Sequence, residues 1–280
     1  MKTIGILGTG TMGSGLAQVA AQAELEVLFW NRKQDSVDRG LTRVRKGLGR
    51  LLQREKISQK EHDSVLARVH GVVQIEELKA ADIVIEAAPE DFEIKRALYA
   101  RLDELCANSV IFASNTSSLS ITRLAAHSGR APHFVGLHFF NPVPAMKLVE
   151  VVRGFETSEA TVARARELAE RLGKIPLEVR DLAGFVVNRV VMPMINEAIW
   201  ALMQGVADAV TIDECMKLGC NHPMGPLALA DLVGLDIVYA ILDSLHRELG
   251  DPRYAPCPLL KKHMEAGWLG TKTGRGFFSY

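Results

Sequence analysis

Six residues near the start of the chain constrain its fold more than any others: Gly8-Thr9-Gly10-Thr11-Met12-Gly13. They follow a β-prone run at residues 3–7 and open an amphipathic helical stretch. In that setting a Gly-x-Gly-x-x-Gly string has a defined use. The first glycine permits a tight turn, the second lets the backbone approach a pyrophosphate, and the third lets helix and strand pack closely. The diphosphate then rests on the unpaired N–H groups and positive dipole end of the helix. Gly8, Gly10, Thr11, Met12 and Gly13 are therefore the expected diphosphate contacts. The string alone is weak, since glycines are common in turns; the strand before it and the helix after it carry the inference.

The rest of the first half repeats that unit. Strand-like runs at 26–30, 71–73, 82–86, 110–113 and 133–137 alternate with amphipathic stretches. In one of these, 91–105, Phe92, Leu98, Leu102 and Leu105 share a helical face. Such alternation implies a parallel sheet with helices on both faces. Two more strand-like runs, 146–152 and 175–179, flank a helical segment at 158–172 and extend the sheet. Beyond Arg180 the strand signal stops, and 185–203, 207–218, 225–249 and 259–266 all read as helices. Asp181-Leu182-Ala183-Gly184 reads as the hinge.

The expected architecture is α/β. A Rossmann-type, mostly parallel sheet forms a dinucleotide-binding domain over residues 1–182, and a smaller all-helical domain follows over 183–280. Two domains suit 280 residues, because single cores stop growing at ~250–300. Roughly 95 helical residues make a thin core, so burial of one face against a second copy favours a homodimer.

Charge narrows the partners. Lys and Arg number 33 against 33 Asp and Glu. That balance removes the electrostatic case for nucleic acid or an anionic membrane. Cys106, Cys215, Cys220 and Cys257 are scattered with no Cys-x-x-Cys pair, so neither a disulfide framework nor a metal site is expected. The chain enters a strand-like run at Thr3 with no charged leader region, and no apolar run reaches ~18 residues. It reads as a soluble cytoplasmic protein.

The end of the second strand decides which nicotinamide cofactor fits. An acid there accepts hydrogen bonds from the ribose 2′-hydroxyl and repels a 2′-phosphate. This chain has Trp30-Asn31-Arg32-Lys33 and no acid. Asn31 is neutral, and Arg32 can pair with a phosphate in bidentate fashion. That favours NADP. The alternative is NAD, with Asn31 serving the 2′-hydroxyl and Arg32 and Lys33 belonging to a solvated loop.

Ser114-Asn115-Thr116-Ser117-Ser118-Leu119 follows the fifth strand, and Leu137-His138-Phe139-Phe140-Asn141-Pro142 follows the next. Further strings are Lys147-Leu148-Val149-Glu150-Val151, Gly184-Phe185-Val186-Val187-Asn188-Arg189 and His222-Pro223-Met224-Gly225-Pro226. With the glycine loop, these closely resemble the L-3-hydroxyacyl-CoA dehydrogenase family, and within it the stand-alone bacterial 3-hydroxybutyryl-CoA dehydrogenases. The resemblance runs from Lys2 to Tyr280. Two positions depart from the family pattern: Asn31 stands where Asp is usual, and Ala183 where Pro is usual.

The resemblance implies that His138 is the catalytic acid/base and Glu150 its carboxylate partner. It also implies that Ser117 and Asn188 bind the reacting oxygen, and that Asn115 lies beside the nicotinamide ribose. Glu90 and Lys95 match positions used around the cofactor. The implied reaction is reversible hydride transfer between C3 of an (S)-3-hydroxyacyl-CoA and a nicotinamide, with the acyl-binding cleft between the two domains.

Elementary chemistry supports these roles. Hydride transfer at a hydroxyl carbon also needs a proton moved at oxygen, and imidazole has a pKa near ~6.5 for that task. His138 stands just past a strand end, where open α/β sheets place ligands. Glu150 lies in an apolar run, where an unpaired carboxylate is costly. Against these roles, His138 reads equally as a histidine packed beside Phe139 and Phe140, and Ser117 as a helix N-cap. Arg43, Lys46, Arg50 and Arg54 recur at helical spacing. Coenzyme A is rich in phosphate, and within this stripe the resemblance implies Arg50 and Arg54 as its contacts; a solvated charged face is the alternative. Two rival functions fit the same fold: a dehydrogenase of a free hydroxy acid or sugar acid, and a non-catalytic nucleotide-binding relative.

Overall fold

A computed structural model describes all 280 residues, which form two compact units, Met1–Leu182 and Ala183–Tyr280. The first unit is built on one eight-stranded sheet. In chain order the strands are β1 Thr3–Leu7, β2 Glu26–Trp30, β3 Val69–Val72, β4 Ile83–Glu86, β5 Ile111–Ser114, β6 Phe134–Phe139, β7 Leu148–Arg153 and β8 Ile175–Arg180. Their spatial order is β3-β2-β1-β4-β5-β6-β7-β8. The first six strands run parallel, β7 is antiparallel to β6, and β8 is parallel to β7. This is the expected mostly parallel, Rossmann-type sheet, with the reversal of order beside β1 where the glycine loop emerges.

Helices α1 Thr11–Gln22, α2 Gln34–Gln53, α3 Gln59–Ala67, α4 Phe92–Leu105, α5 Ile121–Ala126 and α6 Glu159–Arg171 connect the strands. Strands covered on both faces read as continuous apolar runs rather than alternating ones. One sheet face presents Ile4, Ile6, Val27, Phe29, Ile83, Ile85, Val135 and Leu137 to a core completed by Leu16, Val44, Leu48, Val162 and Leu168. The other face carries Val84, Phe112 and Phe134, all buried, with the Tyr99 ring of α4 against both phenyl rings. His138 and Glu150 share the parity of Phe134 and Val152, so they project from this second face.

Several boundaries differ from expectation. The third strand begins two residues earlier than 71, and α3 and α5 add short helices that residue periodicity does not announce. In α4 the fully buried positions are Lys95, Tyr99 and Leu102, whereas Phe92, Leu98 and Leu105 are only half-buried. The buried stripe is thus rotated toward a lysine that counts as surface in any apolar pattern.

The second unit contains α7 Val187–Met203, α8 Ala209–Cys220, α9 Pro226–Val233, α10 Leu235–Leu249 and α11 Pro258–Glu265. The single helix expected over 225–249 is two, broken at Gly234, whose φ of 102 is open to glycine and strained for other residues. The first helix starts at Val187 rather than 185, because Gly184 and Phe185 both have positive φ. Ile195, Ile199, Leu227, Leu235, Val238, Leu242 and Leu260 form the core, with Met192 buried beside them. Two buried acids hold the periphery. Asp213 accepts the backbone N–H of Leu227 and Ala228 at the start of α9, and Asp231 accepts those of Phe277 and Phe278. No helix is long and apolar enough to cross a membrane.

Candidate active site

The strand β1 delivers the glycine loop to the C-terminal edge of the sheet. A Cβ added at Gly8 (φ 102) would lie 2.3 Å from the Ala87 carbonyl oxygen, and one at Gly13 would lie 1.8 Å from that of Gly8. Neither position accepts a side chain. At Gly10, in contrast, an added Cβ meets nothing within 4 Å. That opening faces the N-terminus of α1, which has no side-chain cap. A diphosphate fits there, because the orphaned N–H groups and the helix dipole both favour an anion. A cavity of about 700 Å³ begins at this point. Gly8, Gly10, Thr11, Met12, Asn31 and Arg32 all line it, while Gly13 packs behind the wall.

At the far end of the cavity Asn31 donates from Nδ2 to the Thr9 hydroxyl (3.2 Å) and accepts the Lys33 N–H at Oδ1 (3.3 Å). The Thr9 hydroxyl in turn donates to the Ser36 carbonyl (2.7 Å). Arg43 donates from Nη1 to the Thr9 carbonyl (3.1 Å) and lines the cavity. It therefore serves the glycine loop, apart from the basic stripe in which its spacing groups it with Arg50 and Arg54. Arg50 occupies the last turn of α2, and Arg54 caps that helix. Both are exposed, and neither is held in an ion pair.

A second group of side chains lies where β5 and β6 end. The antiparallel register of β6 and β7 sets His138 directly opposite Glu150. Cross-strand neighbours share a face with Cβ atoms ~5 Å apart, close enough for a charge-assisted contact. His138 Nδ1 and Glu150 Oε2 are 2.6 Å apart, and both residues are buried. A carboxylate only accepts, so Nδ1 carries the proton and Nε2 is left with its lone pair in the neutral ring. The Ser117 Oγ lies 3.1 Å from Nε2. The turn joining the two strands is held by Lys174, whose ammonium donates to the carbonyls of Val143 (2.5 Å) and Met146 (2.8 Å). Burial pushes the Lys174 ammonium below the ordinary lysine value.

The loop carrying Ser117 is fixed by acids that residue order alone does not connect. Asn115 Oδ1 accepts the Phe139 N–H (2.9 Å), tying the ends of β5 and β6 together. Glu90 Oε1 accepts the Thr116 hydroxyl (2.5 Å), the backbone N–H of Ser117 and Ser118 (3.0 Å each) and the Ser118 hydroxyl (2.9 Å). Its other oxygen is 3.1 Å from Lys95 Nζ. Burial opposes ionisation of Glu90, but the Lys95 charge and the Thr116 hydroxyl outweigh it and hold the carboxyl below its ordinary value.

Lys95 is 1% exposed and donates to both oxygens of Glu86 (2.7 and 2.9 Å), itself 0% exposed. Glu86 also accepts the Ala88 N–H, the Ser114 hydroxyl (2.7 Å) and the Tyr99 phenol (3.3 Å). Burial, then the Glu86 charge, push the Tyr99 phenol well up, so it stays a donor. Glu86, Tyr99, Ser114, Thr116 and Lys174 all support the site and were not among its expected residues. An acid closing an apolar strand, nine residues before a lysine, is the sequence signal for the first of them. Asn188 occupies the second position of α7 in the helical unit and is buried.

A glycine loop on a Rossmann-type sheet, with a carboxylate-held histidine at the end of another strand of that sheet, defines an oxidoreductase with a nicotinamide cofactor. Family models refine the class. Residues 3–182 match the 3-hydroxyacyl-CoA dehydrogenase, NAD binding domain, and residues 184–280 match the 3-hydroxyacyl-CoA dehydrogenase, C-terminal domain. A probable 3-hydroxybutyryl-CoA dehydrogenase of Bacillus subtilis is 50% identical over 280 residues, covering 100% of this chain and 98% of the relative. The 3-hydroxybutyryl-CoA dehydrogenase of Bradyrhizobium diazoefficiens is 44% identical over 280 residues, covering 100% and 96%. The crystal structure of (S)-3-hydroxybutyryl-CoA dehydrogenase from Ralstonia eutropha superposes with a TM-score of 0.97 at 48% identity, covering 100% and 99%. The chain belongs to the 3-hydroxyacyl-CoA dehydrogenase family, as its motifs led us to expect.

Proposed function

We propose that the chain interconverts (S)-3-hydroxybutyryl-CoA and acetoacetyl-CoA. The observation that carries this reading is His138 held by Glu150 at the mouth of β6, in a chain that matches 3-hydroxybutyryl-CoA dehydrogenases from end to end. A bound nicotinamide supplies the hydride acceptor. His138 Nε2 takes the substrate hydroxyl proton in oxidation and returns it in reduction. Glu150 fixes the tautomer that leaves Nε2 basic and stabilises the imidazolium that forms. Ser117 and Asn188 hold the reacting oxygen, and Asn115 lies beside the nicotinamide ribose. Glu90 and Lys95 border the cofactor and keep the Ser117 loop in place.

NADP is the proposed cofactor rather than NAD, because Asn31 and Arg32 stand where an acid would repel the 2′-phosphate. We also propose that the helical unit pairs two chains into a homodimer: Val190, Val206, Leu218 and Leu232 are exposed there, each more than half accessible. The cytoplasm is the proposed compartment.

The test follows loss of reduced-nicotinamide absorbance with acetoacetyl-CoA, using NADPH and NADH at matched concentrations. Turnover with NADPH preferred is the expected result; no turnover with either cofactor would overturn the reading. Arg50 and Arg54 supply a separate expectation. Each phosphate contact by an exposed arginine is worth about 1 kcal/mol, or roughly fivefold. The double change Arg50→Ala/Arg54→Ala should therefore raise the KM for acetoacetyl-CoA about tenfold or more while leaving kcat nearly unchanged. An unchanged KM would place the two arginines on a solvated face and favour a substrate without coenzyme A.

A further inference from the structure

We infer that Arg43, with Arg32 and Arg39 beside it, forms a seat for the 2′-phosphate of a bound adenosine, and that Arg43 sets the preference for that phosphate. The inference deepens the proposed choice of NADP and rests on it. Beyond Asn31 the cavity wall is made by Arg32, Lys33, Ser36, Arg39 and Arg43. Four cations line this end and no carboxylate does. The two acids of the adjoining helical turn, Asp35 and Asp38, are absent from the wall.

The arginines differ in how they are held. Arg32, Lys33, Arg39 and Arg43 are all exposed, but the side chains of Arg32 and Lys33 make no hydrogen bond or ion pair, whereas those of Arg39 and Arg43 are each held by one. Residues 39 and 43 lie one turn apart on α2 and so share a face. Arg39 spends one N–H on the Ser36 hydroxyl (3.0 Å). Arg43 spends one on the Thr9 carbonyl (3.1 Å). A guanidinium has five N–H donors in a rigid fork, so each keeps most of its fork for oxygen ligands.

Position decides between them. The ribose 2′-substituent is read at the end of β2, which here is Asn31. Asn31 and Arg43 are both tethered to Thr9, one through the hydroxyl and the other through the carbonyl. Arg43 is thus fixed in advance within reach of the atoms that a 2′-phosphate would occupy, and little side-chain freedom is lost on binding. An arginine anchored to the glycine loop couples the diphosphate end of the site to its adenosine end.

Calorimetric titration of the whole chain with adenosine 2′,5′-bisphosphate and with adenosine 5′-monophosphate tests the seat, because the two differ only in the 2′-phosphate. The unaltered chain should bind the bisphosphate at least about tenfold more tightly, the worth of one charge-assisted hydrogen bond. Arg43→Ala should lose about ten- to a hundredfold for the bisphosphate and stay within about twofold for the monophosphate. Arg43→Lys should recover only part, since the fork is gone. Equal binding of both nucleotides by the unaltered chain would overturn the seat. A variant that weakens both equally would reduce Arg43 to a support of the loop. This titration is independent of turnover. A chain that discriminates the 2′-phosphate but is inert with acetoacetyl-CoA sinks the proposed reaction and keeps the seat, whereas an active but indifferent chain does the reverse.

Discussion

Replacing His138 with Gln should lower kcat in both directions by about 10²–10⁴-fold, the usual contribution of a positioned general base, while the reduced nicotinamide cofactor still binds. Gln is close to isosteric and its amide N–H₂ can still donate to Glu150, so the buried carboxylate keeps a partner and the sheet is not disturbed. What the amide cannot do is accept and return a proton near neutral pH. The cavity beside the glycine loop is lined by other residues, and cofactor affinity should move less than about twofold on that account. The comparison variant is Glu150→Gln. It leaves the imidazole in place but replaces an obligate acceptor with a group that can also donate, so the tautomer is no longer fixed and the imidazolium loses its counter-charge. Its kcat should also fall, by about 10²-fold or more, with nucleotide binding intact. The measurement is steady-state turnover of acetoacetyl-CoA alongside fluorescence titration of the reduced nicotinamide cofactor that supports turnover. Near-normal kcat in the His138 variant would sink the assigned acid/base.

The features legible in the sequence are those with a short-range physical cause. The glycine loop, strands such as 3–7 and 26–30 and the change from strand to helix beyond Arg180 were all readable. Each depends on local steric freedom or on apolar runs. His138 and Glu150 were legible as a pair only through motif order. Their juxtaposition comes from the antiparallel turn between β6 and β7, which separates them by twelve residues and which a βαβ pattern does not anticipate.

The residues whose surroundings apolar periodicity misjudges are polar ones whose partners lie on other elements of the fold. Lys95 lies on the buried stripe of α4 because Glu86 waits there nine residues earlier on β4. Apolar periodicity assigns a lysine to the surface, so the stripe it predicts is about one residue out of phase with the buried one. A seven-residue spacing groups Arg43 with Arg50. That interval does return to the same helical face, yet it also spans roughly 10 Å along the axis. One end of α2 therefore meets the glycine loop while the other is solvated. The break at Gly234 needed the φ value, since the apolar pattern runs through it.

The Glu86–Lys95 pair should give the largest loss of stability in the molecule. Both groups are withdrawn from water, and a buried ion pair broken by removing one partner typically destabilises by 3–5 kcal/mol, because the other charge is left without compensation. Lys95→Met preserves the volume and straight chain but strips Glu86 of its bidentate partner and Glu90 of its counter-charge. The expected loss is about 3–5 kcal/mol, read as a lowered thermal midpoint. Pairing it with Glu86→Gln should restore a substantial part, because the remaining amide is neutral: its oxygen can keep the Ala88 N–H while its N–H₂ donates to the rotatable Ser114 hydroxyl. A second consequence separates support from chemistry. With Lys95 gone, Glu90 is less well held as the acceptor for the Ser117 and Ser118 N–H groups, so the hydroxyl facing His138 is less well placed and kcat should fall even at temperatures where the variant is folded. A Lys95→Met chain as stable as its parent at neutral pH would mean that water or a shifted Glu90 replaces the lysine, and that the buried network supports neither the fold nor the loop.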